Sequence, residues 1–305
     1  MHIYLPIAEL PVNVLLMLAL GGVVGFLSGM FGVGGGFLMT PLLIFAGVPS
    51  AVAVATGANP LIASSITGTI AQYRRRNVDI KLGLYLLAGG AAGALLGVQI
   101  VKMLRQMGQF DTAVSLLYVV FMSVVGGLML IESLRAMRKH RKGKPAPARR
   151  PGHRTWIHML PLKTRFRVSK LYISVLPPLG LGIAVGLLSG VMGVGGGFIM
   201  VPILIYVLRV PTNLAIGTSL FQVIFVSAVT TVLQAAWNHT VDIALAAMLM
   251  LGGVIGAQAG AAAGQRLRAE QLRLLLAILV LAVGLRLLAD LFSPGDLYSL
   301  SRPEA

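Results

Sequence analysis

Gly32-Val33-Gly34-Gly35-Gly36-Phe37 reads GVGGGF in the middle of an apolar run, between GFLSGMF (25–31) and LMTPLLIF (38–45). Glycine costs about 1 kcal/mol against alanine in a helix interior, so four glycines in five positions break the helix that the flanking residues would build. Length calls for the same break. An unbroken helix over 12–47 would run roughly 54 Å at 1.5 Å per residue, against a hydrocarbon core of about 30 Å. Divided at the glycines, the run gives a full helix and a shorter one ending near Gly47, with Pro41 a further weak point or the start of a new turn.

The stretch occurs twice. Residues 25–41, GFLSGMFGVGGGFLMTP, and 186–202, GLLSGVMGVGGGFIMVP, are identical at twelve of 17 positions with an offset of 161. Downstream, Thr56 matches Thr218, Gln72 matches Gln234, and VDI recurs at 78–80 and 241–243. Gly89-Gly90-x-x-Gly93-x-x-x-Gly97 returns as Gly252-Gly253-x-x-Gly256-x-x-x-Gly260, a spacing that reads as close helix packing. An ordered series of this kind is an internal duplication, a common plan among transporters.

With 57% hydrophobic and 11% charged residues in 305, the chain falls far below the roughly 25% charge of a soluble domain and is a polytopic membrane protein. Each half holds four apolar segments, about 12–47, 50–73, 79–104 and 110–137, then about 173–209, 212–238, 241–267 and 269–292. The fold expected is therefore all-α: two homologous four-helix repeats, about eight transmembrane helices, with a glycine-broken first helix in each. The division is 1–137 for the first repeat, 138–170 for a basic cytoplasmic linker and 171–305 for the second repeat. The N-terminal stretch lacks the basic start of a signal peptide and reads as part of the membrane unit.

The net charge of +16 is concentrated: twelve of the 25 Lys/Arg fall between 138 and 170, where there is no acid. That points to anionic lipid headgroups rather than nucleic acid. Trp156, Phe166 and Tyr172 among those basic residues suit either an interfacial segment or an ordinary loop. With eight crossings, the positive-inside rule puts the linker and both termini in the cytoplasm; Arg266, Arg268 and Arg273 run against this count. Four crossings per half make the copies parallel, and a re-entrant hairpin at the glycines would change that count.

In hydrocarbon, irregular backbone survives only where protein covers it or water meets it. A broken helix offers the free N–H groups and positive dipole end of its second half, and successive glycines curl N–H groups into an anion-favouring nest. The candidates are Gly32, Gly34, Gly35 and Gly36 with Gly193, Gly195, Gly196 and Gly197. Phe37 and Phe198 stand where a dinucleotide fingerprint needs glycine, and no Gly-Lys-Ser/Thr follows, so a nucleotide reading fails. Thr56, Asn59, Ser64, Ser65, Thr67, Thr69 and Gln72, with Thr218, Ser219, Gln222, Ser227 and Gln234, supply neutral donors; each taken alone also suits an interhelical hydrogen bond. From these, Thr56, Asn59, Thr218 and Gln222 complete the substrate-binding set.

None of the nine acids lies near the middle of a span, which argues against a cation or drug pump. Glu132 with Arg135 and Asp290 with Arg286 read as helical pairs, and capping explains Asp79 and Asp242, while their duplication leaves a coupling role open. Without cysteine, a histidine cluster or a nucleophile–base pair, no enzyme activity, metal or cofactor is expected.

The paired GxxSGxxGVGGGFxMxP stretches in a duplicated eight-segment chain resemble the sulfite exporter TauE/SafE family of permeases. The resemblance implies movement of sulfite, a sulfonate or a related organosulfur anion across the bacterial inner membrane, generally outward. Asn59-Pro60 stands opposite Phe221-Gln222, so the two halves differ where substrate choice would be encoded. The expected function is a secondary transporter driven by a coupling ion or the membrane potential, since no ATP-binding motif is present. The alternatives are a passive anion channel, or a scaffold or sensor working through the linker. A homo-oligomer is compatible with either.

Overall fold

The computed structural model describes residues 2–31, 36–141, 163–166, 168–169, 171–264 and 269–292. Gly32, Gly34 and Gly35 lie outside them, as do Trp156, the body of the linker and the side chains of Glu132 and Arg135. Each half opens with an antiparallel hairpin: β1 (His2–Leu5) with β2 (Leu10–Asn13), then β3 (Lys163–Phe166) with β4 (Leu171–Ser174). The two hairpins match at the offset of 161. The second one therefore straddles the boundary drawn at 170, and its Phe166 is fully buried.

Helices follow in the same order in both halves. The first has α1 (Val14–Phe31), α2 (Gly36–Phe45), α3 (Ser50–Gly57), α4 (Asn59–Arg74), α5 (Ile80–Gln106) and α6 (Phe110–Arg141). The second has α7 (Leu176–Met192), α8 (Gly197–Tyr206), α9 (Thr212–Leu233), α10 (Ile243–Gly264) and α11 (Ala269–Phe292). Among the described residues, five helices are long and apolar enough to cross a membrane, and four shorter apolar ones flank the glycine breaks. Asp79 and Asp242 cap α5 and α10, each accepting the N–H three residues on (Leu82 and Leu245, both 3.1 Å). The corner before α10, QAAWNHTVDI, is one residue longer than its counterpart QYRRRNVDI. A single π-helical turn, Gln234–Asn238, absorbs the extra residue.

The glycine rows reveal the direction of each helix. Gly89, Gly93 and Gly97 of α5 lie against Leu179, Ile183 and Leu187 of α7, so these two run parallel. Gly21, Gly25 and Gly29 of α1 meet Leu249, Gly253 and Ala257 of α10, again in parallel. Gly83 and Gly90 of α5 face Phe221 and Val226 of α9, so α5, α7 and α9 all point one way. Since α7 and α9 share a direction, α8 between them must run back. Gly196 accordingly lies beside Val185, seven residues back along α7, and the far end of α8 (Leu204, then Leu208) shares a core with Phe166 and Ile173 of the hairpin that precedes α7.

Of the two readings left open by sequence, the glycine segment is thus a re-entrant hairpin. Each half crosses three times rather than four, and an odd number inverts the second copy. The equivalent helices pack antiparallel as inversion requires: α4 on α9 (Gly68 on Leu220, Gln72 on Gly217) and α6 on α11 (Met122 on Gly284, Gly126 on Leu281). The ends of β2 and α11 lie on one face of the bundle, and the linker attaches on the other. The expectation that termini and linker share a side does not survive the reversal.

Candidate functional site

The second re-entrant tip is described in full. α7 ends in a left-handed cap at Gly193, whose N–H donates to the Ser189 carbonyl (2.8 Å), and Gly195 and Gly196 are also left-handed (φ 70° and 75°). Leucine or valine would be strained there by roughly 1–2 kcal/mol before any contact is counted. Space is short as well: a methyl group on Gly195 would sit 2.4 Å from Leu61 Cδ1 and 2.9 Å from Ser227 Oγ. Gly197 opens α8, and Gly36, the described residue of the first cluster, opens α2 against Leu61 and the Val194 carbonyl. The two tips therefore touch at the centre of the molecule, and Leu61 packs against both.

Both half-helices begin at this centre, so two sets of first-turn N–H groups and two positive dipole ends converge there. Together they amount to roughly one elementary charge. Phe37 and Phe198, equivalent residues of the two motifs, stack with centroids 4.1 Å apart and planes at 23°, and Phe121 meets Phe198 edge-on at 6.1 Å. Pro41 and Pro202, four residues further on, withhold the N–H groups that would close on the Phe37 and Phe198 carbonyls, leaving acceptor capacity beside the donors.

The polar residues divide into two sets. Thr56 and Thr218 accept the backbone N–H of Asp242 (3.2 Å) and Asp79 (3.1 Å), each from the opposite repeat, so they clamp helix starts and do not line the tips. The same carboxylates take hairpin donors: Ile7 N–H on Asp242 Oδ2 (3.2 Å), and Ser169 N–H and Oγ on Asp79 Oδ2 (3.0 and 2.8 Å). Asn59 Nδ2 donates to the Thr56 carbonyl (3.2 Å), and Gln234 Nε2 donates to the Gly190 carbonyl (3.1 Å). The second set is buried and has oxygen atoms without protein partners: Ser65 on α4, its equivalent Ser227 on α9, Ser189 on α7, and Oε1 of Gln222, whose Nε2 donates to the Leu86 carbonyl (3.4 Å). Of the sequence-derived candidates, Gly36, Gly195, Gly196, Gly197 and Gln222 belong to this central region, whereas Thr56, Asn59 and Thr218 serve the scaffold. Sequence reasoning gave the stacked Phe37–Phe198 pair no role; its signal was the duplicated phenylalanine after each GGG.

Residues 17–287 match the sulfite exporter TauE/SafE family model. A probable membrane transporter protein of Xylella fastidiosa is 31% identical over 87% of this chain and 91% of its own length. Two Bacillus subtilis proteins, the probable membrane transporter proteins YunE and YjnA, are 25% and 27% identical over 90% and 91% of this chain and 97% and 99% of their own. No solved structure matches the chain. The chain belongs to the sulfite exporter TauE/SafE family and is a multi-pass membrane protein of that transporter family.

Proposed function

We propose that this TauE/SafE member is a secondary carrier for a small sulfur-containing oxyanion or sulfonate, which it exports through a site between the two re-entrant tips. The observation that carries the reading is the convergence of α2 and α8, two half-helix N-termini with opposed directions, in a region where no carboxylate competes for them. Hydroxyls and main-chain N–H groups replace an anion's hydration without a fixed counter-charge that would retain it. The stacked Phe37–Phe198 pair fills the centre, which favours a carrier that must change shape over an open pore. The substrate-binding set is the glycine clusters 32–36 and 193–197 with Gln222, Ser65 and Ser227.

In this reading the linker face is cytoplasmic and the termini are outside. Arg74, Arg75, Arg76, Lys81, Arg209, the end of α10 and the start of α11 share the linker's face, against Lys102, Arg105 and Arg286 towards the other. The three arginines that ran against an eight-crossing count agree with an inverted six-crossing one.

Counterflow of radiolabelled sulfite into sulfite-loaded proteoliposomes tests the carrier. Saturable uptake accelerated by internal substrate is expected, and conductance without saturation or acceleration would replace it with a channel. Because the chain lacks cysteine, single cysteines at Gln109 and Arg209 test the orientation by labelling from opposite sides.

A further inference from the structure

A pocket of about 870 Å³ opens on the linker face, at the corner between α4 and α5 where β3–β4 docks, well away from the central tips. Arg74, Arg76, Lys81 and Arg165 line it beside Tyr73, and among the described residues the single carboxylate in the wall is Asp79. That acid is 1% exposed, with its oxygens engaged by Leu82 and Ser169, so it leaves most of the cationic field uncancelled. The side chain of Lys81 is held over Phe166 (5.9 Å) and donates to the Arg165 carbonyl (3.5 Å), which orders one cation at the rim.

The inverted repeat supplies an internal control. The same corner exists on the opposite face, with the same capped aspartate and a left-handed residue before it (Arg76 φ 57°, His239 φ 50°). There, Ala235 and Ala236 follow Gln234, Ala244 replaces Lys81, and Tyr4 replaces Arg165. The segments of that corner carry no Lys or Arg at these four positions, although Arg105 from the end of α5 donates to its Asn238 carbonyl (3.0 Å), so the four cations themselves are not needed to build it. Ile80 lines the pocket and is 45% exposed, and about one helical turn further towards mid-membrane Ile70 and Leu84 are 51% and 52% exposed. A cationic pocket at headgroup level, open above an exposed apolar row, has the chemistry of a phosphodiester with acyl chains attached. A soluble anion would use the charge but leave the apolar row without a role.

We propose that the Arg74–Arg76–Lys81–Arg165 pocket is a specific binding site for one anionic phospholipid of the linker-side leaflet. It is independent of what the carrier transports, and its readout needs no transport. The test is native mass spectrometry of the full chain in detergent with dioleoylphosphatidylglycerol or dioleoylphosphatidylcholine. One phosphatidylglycerol is expected to be retained, and phosphatidylcholine is not. Arg74→Gln with Lys81→Gln should weaken retention about tenfold or more, as should Arg165→Gln with Lys81→Gln, which leaves the α4 helix untouched. Lys102→Gln with Arg209→Asn removes two cations elsewhere and should change nothing; asparagine suits the left-handed backbone at 209. Equal retention of the two lipids, equal retention by the pocket variants, or displacement of the lipid by millimolar sulfate would overturn the proposal, the last by assigning the pocket to soluble anions.

Discussion

At the second re-entrant hairpin, the carbonyl of Met192, last residue of α7, accepts hydroxyls of Thr40 (3.4 Å) and Tyr118, both from the first repeat. The positions equivalent to these two pins carry no hydroxyl in the second repeat. Val201 occupies the place of Thr40, and α11, the counterpart of α6, has no serine, threonine or tyrosine along its length. The Asp–Thr clamps, by contrast, are present on both faces with nearly equal lengths. Duplication thus preserved what holds the two copies together and let diverge what holds each tip. If the proposed carrier reading holds, its two half-sites are held by unequal sets of hydrogen bonds.

The most severe way to break the comparison is at the glycines. Gly195→Leu should abolish sulfite counterflow while leaving membrane insertion intact, because the left-handed backbone and the Leu61–Ser227 wall both exclude a side chain. Wild-type flux would remove the second tip from the site. Next, Tyr118→Phe with Thr40→Val strips both pins from Met192 and should slow exchange about tenfold, a change of about 1.4 kcal/mol. Val201→Thr at the equivalent position should leave the rate within twofold of wild type, about 0.4 kcal/mol. Equal effects at the two positions would erase the asymmetry. The clamps should behave alike: Thr56→Val and Thr218→Val each leave a buried N–H without its acceptor, costing about 1–3 kcal/mol. Matching losses in thermal stability are expected, and a clear inequality would show that the two faces are not equivalent. The smallest effect belongs to Ser65→Ala and Ser227→Ala. With no protein partner to lose, stability should change by less than about 0.5 kcal/mol, while KM rises for both; an unchanged KM would take these hydroxyls out of the pathway.

Much of this was legible in the residues. The duplication, the break at GVGGGF, the packing role of the spaced glycines and the capping role of Asp79 and Asp242 all follow from patterns local in sequence. The reversal of direction does not. A glycine run permits a bend of any angle, and the bend here packs against Val185 of the preceding helix and against Val54 and Leu61, which are distant in sequence. The same cause hides the hydrogen bonds of Thr56 and Thr218. Their acceptor role depends on a backbone N–H more than 130 residues away, which no periodicity can reveal. Four-residue strands pairing across a tight turn, as in 2–13, are too short to stand out beside apolar helices.

The clamp between Ile7 and Asp242 joins residues 235 positions apart. During synthesis the first hairpin therefore has no carboxylate to dock on until α10 has emerged, when most of the chain has already entered the bilayer. The first half must wait in lipid with Thr56 unengaged, while the Asp79 clamp on the other face needs the chain only as far as Thr218 and closes first. A chain truncated before Asp242 has neither the first hairpin's dock nor the α10 partner of α1, so this membrane protein is finished only near the end of its own translation.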